Sequence, residues 1–206
     1  MILHDYLPSG NGYKIRLLLS LLGQDYQLKC YDIVQGETHT EAFLKLNANG
    51  KIPVLEFDDG RSLTESNAIL YYLAQGTPYW PEELWQQSQV LRWMNFEQYS
   101  HEPNIATLRF WLGHAGMNQQ RQAQWADKKA AGYAALKVME QHLSEHRYFM
   151  GEQFSIADIA LYAYTHVAEE AEFDLSTFPA IQAWCYAITQ TTNYVDITDD
   201  SARLKP

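Results

Sequence analysis

MILHDYLPSGNGYKIRLLLSLLGQDYQLKCYDI fills residues 1–33, and its reading decides the fold. Met1–Tyr6 is a short apolar run that predicts a strand, and Leu7-Pro8-Ser9-Gly10 predicts a loop. Asn11–Leu22 predicts a helix, with Gly23 standing where a residue tolerant of positive φ ends one. Tyr26–Ile33 predicts a second strand. A helix between two strands favours a parallel pair joined by a crossover. Further on, Thr38–Leu46 predicts a short helix. Pro53–Phe57 and Arg61–Leu63 flank Asp58-Asp59-Gly60, a strong hairpin signal. Glu65–Ala74 predicts a third helix. The order β-α-β-α-β-β-α describes a small mixed sheet covered by helices.

The chain changes character near residue 76. All six tryptophans lie beyond it, and net charge divides as −3 before and −7 after. Gly76-Thr77-Pro78-Tyr79-Trp80-Pro81 reads as a linker with two prolines. The second part shows no strand pattern. Glu82–Leu112 and Gln119–His146 predict long helices. Ser155-Ile156-Ala157-Asp158 resembles a capping box with Asp in place of the usual Glu. Phe178-Pro179-Ala180 opens another helix with proline in its first turn. The expected organisation is an α/β domain at 1–75, a linker at 76–83 and an all-helical bundle at 84–206.

Composition narrows the function classes. The chain has 206 residues, of which 47% are hydrophobic, enough for a core and against general disorder. A net charge of −10 without a basic stripe argues against nucleic acid and against an anionic membrane surface. No run of apolar residues is long enough to span a bilayer, and the first residues lack a basic-then-apolar leader, so cytoplasmic residence is expected. Cys30 and Cys185 form no CxxC pair and read as buried core thiols. His142-Leu143-Ser144-Glu145-His146 fits H-x-x-E-H, but no third ligand accompanies it and no metal is expected.

Three loops carry candidate chemistry. Ser9-Gly10-Asn11-Gly12 opens the first helix, where free N–H groups and a hydroxyl favour an anion such as a thiolate. A plain N-cap at Ser9 or Asn11 is the competing reading. Ile15 occupies the place of the third glycine of a dinucleotide fingerprint, which excludes that motif. Lys51-Ile52-Pro53-Val54 precedes a strand, and a cis Ile52–Pro53 bond would turn the Ile52 backbone toward a strand-like ligand; trans is the commoner state. At Thr64-Glu65-Ser66-Asn67, Ser66 suits a carboxylate and Glu65 an ammonium, unless they are an ordinary cap and acidic first turn. Tyr99, Phe110, Trp111 and His114 could line an apolar pocket or simply pack in a core.

Taken in order, Ser-x-Asn after the first strand, Lys51-Ile-Pro-Val-Leu55, Thr64-Glu-Ser-Asn-Ala-Ile-Leu-Tyr-Tyr-Leu73 and Phe154-Ser-Ile-Ala-Asp-Ile-Ala-Leu-Tyr162 resemble the soluble glutathione transferases across essentially the whole chain. The resemblance implies a thioredoxin-like domain followed by a helical domain, a homodimer, and glutathione as co-substrate. Ser9 matches the sulfur-activating serine of the serine-type classes. Asn11 matches an asparagine that contacts the sulfur in bacterial nu-like proteins. Ile52 would pair with the cysteinyl part ahead of a cis Pro53. Glu65 and Ser66 would hold the γ-glutamyl head. Lys51, with Thr38 and His39 more loosely matched, would approach the glycine carboxylate. The cysteine that the omega, beta and lambda-like classes carry near the first helix is missing here; Tyr6 suggests the tyrosine-type classes, but the tau- and zeta-like match through Lys14-Ile15-Arg16 places Ser9 at the catalytic position instead.

The implied activity is detoxifying conjugation. A thiol of pKa about 8.5 is only about 3% thiolate at pH 7, and a two-unit fall would raise that to about three-quarters. The activated thiolate would then attack an apolar electrophile against Tyr99, Phe110, Trp111 and His114. Two alternatives stay open: a glutathione-dependent disulfide reductase or peroxidase of the nu-like kind, and a non-enzymatic binding protein on the same fold.

Overall fold

The computed structural model describes residues 1–204 and divides into two compact units, Met1–Gln75 with the described residues from Thr191 onward, and Gly76–Gln190. The first unit is built on β1 (Ile2–Asp5), α1 (Gly10–Leu21), β2 (Gln27–Cys30), α2 (Glu41–Leu46), β3 (Val54–Glu56), β4 (Ser62–Thr64) and α3 (Ser66–Ala74). The sheet order is β2-β1-β3-β4. β1 and β2 run parallel, with Leu3 opposite Leu28, as a crossover through α1 requires. β3 and β4 add antiparallel to β1 through the hairpin. The thioredoxin-like mixed sheet followed by a helical part is therefore the observed fold class.

Alternation along β1 sends Leu3 and Asp5 to one face and His4 to the other. Leu3, Leu17, Leu18, Leu55, Ile69 and Leu70 are wholly buried and fill the layer between the sheet, α1 and α3. Gly12 is required where α1 passes over the end of β1. A Cβ there would stand 1.6 Å from Asp5 Oδ1.

The last described residues differ from expectation. The sequence predicts one helical domain over 84–206, whose last two residues lie outside the described ones. In the structure, the stretch from Thr191 onward packs on the first unit instead. Leu28 N–H donates to Ala202 O and Leu204 N–H to Leu28 O, so this stretch makes a single parallel bridge to β2. Tyr13 Oη donates to Val195 O, Ser20 Oγ to Asn193 O, and Arg16 to Ile197 O and Asp199 O. All of these acceptors are backbone carbonyls, which no side-chain pattern announces.

The second unit contains α4 (Leu84–Phe96), α5 (Glu102–Phe110), α6 (Gln119–Leu143), α7 (Ile156–Thr165) and α8 (Pro179–Thr189). The long helix expected at Glu82–Leu112 begins at Leu84 and is interrupted. Wider turns occupy Glu97–His101 and Trp111–Ala115, so α4 and α5 are separate pieces of one rod. At α7 the capping box closes in both directions: Ala157 N–H donates to Ser155 Oγ, and Ser155 N–H donates to Asp158 Oδ2.

Candidate functional site

The first unit gathers polar groups where α1, α3 and the segment before β3 begin. Ser9 is the N-cap of α1, with extended backbone and its Oγ accepting from Gly12 N–H at 3.4 Å. The cap uses a lone pair and leaves the hydroxyl proton to donate elsewhere, so the two readings of Ser9 do not compete. α1 carries no acidic residue in its first turn. Its N-terminus therefore keeps the positive end of the dipole for an outside anion.

The loop before Ser9 is held from below. Arg16 is wholly buried and donates through Nε to Asp5 Oδ2 at 3.0 Å and through Nη2 to Leu7 O at 2.6 Å. Asp5 Oδ1 accepts from Tyr6 N–H at 2.7 Å, and Ser9 N–H donates to Tyr6 O. Burial pushes the Asp5 carboxyl up to about 6, against the pull of the Arg16 guanidinium and the Tyr6 N–H. One guanidinium thus ties the end of β1, the Ser9 loop and the returning C-terminal stretch.

Asn11 and Ser66 meet across 55 residues: Ser66 Oγ donates to Asn11 Oδ1 at 3.2 Å. Lys14, wholly buried, donates through Nζ to Ser66 Oγ at 3.3 Å and to Asn67 Oδ1 at 3.4 Å. Glu65 precedes α3 with an exposed side chain and φ of 67°, a left-handed conformation that costs a non-glycine residue about 1–3 kcal/mol. Its side chain makes no cap bond. Glu65 thus carries backbone strain beside the Asn11, Ser66 and Lys14 cluster.

The third group lies at the start of β3. Ile52–Pro53 is cis, with Ile52 half-buried and Pro53 buried. Asn47 Nδ2 donates to Lys51 O at 2.7 Å and steadies the turn. Thr38 is buried and His39 exposed, their side chains meeting at 3.3 Å. A Cβ on Gly50, whose φ is 61°, would come within 3.2 Å of His39 Nε2, so His39 stands beside the Lys51 turn.

The aromatic candidates belong to the second unit and are less united. Phe110 and His114 rings lie 5.9 Å apart, and Lys128 sits over Trp111. Tyr99 is 89% exposed and separated from Phe110 by the whole of α5. Among the described residues no group of three or more His, Cys, Asp or Glu is placed to hold a metal. His142 and His146 of the H-x-x-E-H stretch stack face to face at 4.3 Å. Cys30 is half-buried rather than a core thiol, which corrects the expectation; Cys185 is half-buried as a residue, but its thiol is desolvated and pushed up to about 12.

Lys14 and Asn67 escaped the sequence reading. Lys14 follows Asn11 by three residues, which puts both on one face of α1. That spacing was the available signal. Asn67 sits inside the quoted Thr-Glu-Ser-Asn motif but was given no part.

Comparisons agree across the chain. Residues 1–75 match the family model described as Glutathione S-transferase, N-terminal domain, and residues 98–191 match Glutathione S-transferase, C-terminal domain. A glutathione S-transferase crystal structure from Pseudomonas fluorescens is 50% identical with a TM-score of 0.93, covering 96% of this chain and 98% of that one. Maleylacetoacetate isomerase of Mus musculus is 30% identical over 183 residues, 87% of this chain and 83% of its own length. A glutathione transferase from Burkholderia graminis, solved with two glutathione molecules bound per subunit, is 27% identical with a TM-score of 0.83, covering 96% of this chain and 88% of that one.

Proposed function

The chain belongs to the glutathione S-transferase family of enzymes, and from that premise we propose that it binds glutathione on its first unit and transfers the thiolate to apolar electrophiles. The observation that carries the reading is the N-terminus of α1, with Ser9 at its cap and no acidic residue in its first turn. A thiolate placed there meets the helix dipole and the Ser9 hydroxyl proton, and both favour the charged form.

In this reading Ser9 and Asn11 stabilise the sulfur. Ile52, ahead of cis Pro53, pairs its backbone with the cysteinyl part. Ser66 and the first N–H groups of α3 take the γ-glutamyl carboxylate, and Glu65 takes its ammonium. Lys51 and His39, with Thr38 beneath, attract the glycine carboxylate. Phe110, Trp111, His114 and Tyr99 are proposed to meet the apolar co-substrate on the helical unit. Family kinship supports extending the proposal to a homodimer of the serine-type, nu-like kind that acts in detoxification in the cytoplasm.

Titrating the ultraviolet absorbance of the thiolate in bound glutathione tests the reading. The bound thiol should ionise well below its free value of about 8.5, and Ser9→Ala should move it back up. Glutathione that binds by calorimetry yet titrates like the free thiol would overturn it.

A second reading has its own support. The Burkholderia graminis relative holds two glutathione molecules per subunit, an occupancy that suits reduction of a disulfide or peroxide by a pair of thiols. If that chemistry prevails here, oxidised glutathione will bind at least as tightly as reduced. Markedly weaker binding of the oxidised form excludes it.

A further inference from the structure

We propose that Arg16 is a positioning residue for Ser9, and that the turn at Asp196–Asp199 sets the aim of its guanidinium from outside the ligand site. The inference rests on the glutathione reading above and deepens it.

A guanidinium carries its five N–H groups in one rigid plane. Holding two of them sets the direction of the rest. Arg16 is wholly buried, and its plane joins two parts of the chain. On one side Nη1 donates to Ile197 O at 2.7 Å and to Asp199 O at 3.2 Å. On the other, Nη2 donates to Leu7 O at 2.6 Å and Nε to Asp5 Oδ2 at 3.0 Å. Nη1 has two hydrogens, so each acceptor has a donor of its own.

The two carbonyls that hold Nη1 come from a turn with its own brace. Asp196 Oδ1 accepts from Thr198 N–H and from Thr198 Oγ1, both at 2.9 Å, and Asp199 N–H donates to Asp196 O at 3.0 Å. Asp and Asn side-chain oxygens both build turns of this kind. Tyr13 Oη and Ser20 Oγ fasten the preceding residues to α1 through Val195 O and Asn193 O. The Asp196 side chain itself is exposed.

Leu7 stands two residues before Ser9. Pro8 between them has a fixed φ, and Ser9 N–H is bonded back to Tyr6 O at 2.7 Å. A shift of the Leu7 carbonyl therefore reaches Ser9 with little slack. The Ser9 proton serves a thiolate only at hydrogen-bond distance and angle, and the bond weakens steeply away from them. In the glutathione reading the rest of the ligand is held by Ile52, Glu65 and Ser66, which lie on other elements. Losing the clamp should thus act on the sulfur and spare the remainder.

The test compares the full chain with its Arg16→Lys, Asp196→Ala and Asp196→Asn variants. Two quantities are read: the thiol pKa of saturating bound glutathione, and the affinity for S-methylglutathione, which has no ionisable thiol. Arg16→Lys keeps the charge beside Asp5 but loses the fork. It should raise the bound thiol pKa by about half a unit or more, a roughly threefold loss of preference for thiolate. S-methylglutathione affinity should change by less than about threefold, since no thiolate is present to feel Ser9. In rate terms the loss should fall on kcat at neutral pH and shrink at high pH.

Asp196→Ala removes the brace and should raise the thiol pKa by about 0.3 units, or roughly twofold. Asp196→Asn keeps a side-chain oxygen and should titrate like wild type. Both substitutions remove the same negative charge, so a pure charge effect would move them together. Equal thiol pKa values in the two Asp196 variants would overturn the part given to the turn. An unchanged thiol pKa in a folded Arg16→Lys, even with a lower urea midpoint, would make Arg16 a structural residue and overturn its positioning role. If Arg16→Lys does not fold, the Asp196 pair decides. Failure of the underlying reading is separately visible, because the wild type itself would then show no lowered thiol pKa.

Discussion

Ser9 caps α1 and Ser155 caps α7, yet the two helix N-termini are completed differently. At α7 the chain supplies its own anion. Asp158 is wholly buried, and its carboxylate accepts from Ser155 N–H and Ser155 Oγ on one oxygen and from Phe149 N–H and Trp184 Nε1 on the other. At α1 the first turn has no acid, Ser9 is only half-buried, and its cap contact is long at 3.4 Å. The nearest carboxylate, Asp5, faces Gly12 but is engaged by Arg16 and the Tyr6 N–H. A closed, self-neutralised N-terminus serves stability. An open one suits an anion that comes and goes.

The sharpest way to break this contrast is to remove the internal anion. Asp158→Ala strands four buried donors, the Phe149 and Ser155 N–H groups, Ser155 Oγ and Trp184 Nε1, and should cost roughly 3–5 kcal/mol, read from urea unfolding. A loss below about 1 kcal/mol would show that α7 does not depend on its internal carboxylate.

Titration sharpens the same point. Burial pushes Asp158 up to about 6, above its ordinary value of 3.8, while its hydrogen bonds pull the other way. A carboxyl whose folded pKa is raised contributes stability that is fully present below the unfolded value and is lost as pH rises through the folded one. The urea midpoint should therefore carry a component that declines between about pH 4 and pH 6. Part of that decline should disappear in Asp158→Asn. Asp5, also near 6 for the same reason, should account for a further part. Identical pH profiles in wild type and variant would refute the assignment.

The open site carries strain that the closed one lacks. Glu65 holds φ at 67°, and glycine accepts that angle at little cost. Glu65→Gly should raise unfolding stability by about 1 kcal/mol while weakening glutathione binding. Equal loss of stability and affinity would mean that the strain is not borne for a ligand. Smallest in stability terms is Ser9→Ala. Its long cap contact should be worth about 0.5 kcal/mol, far less than its effect on the bound thiol. A loss of several kcal/mol would recast Ser9 as a structural cap like Ser155.

Much of this is legible in the sequence. Strand, loop and helix up to Gly23 follow from apolar spacing and from a glycine at the stop. The Asp58-Asp59-Gly60 turn placed the hairpin, and Ser155 with Asp158 marked the start of α7. These are signals within one turn or one ladder step, so residue identity is enough to read them. The Ser9, Ile52, Pro53, Glu65 and Ser66 loops were legible as a set, because their order matched a family although each alone had an ordinary explanation. The returning stretch from Thr191 was misassigned because Val195, Ile197, Asp199 and Ala202 act through their carbonyls, which every residue possesses. The rod at Glu82–Leu112 reads as unbroken in sequence because the chain stays helical through Glu97–His101, where no glycine or proline marks a break.

By itself the sequence determined the order of elements in the first 75 residues, the change of character near residue 76 and the residue types available at each helix start, because these rest on signals a few residues apart. The tertiary structure alone decided that Lys14, Ser66 and Asn11 form one chain of donors and acceptors, that Arg16 ties the Ser9 loop to the far end of the polypeptide, and that Glu65 is held at positive φ. Each of these joins groups from separate elements, or is imposed by the packing around it. Only the folded chain brings such partners within reach and excludes the water that would otherwise replace them.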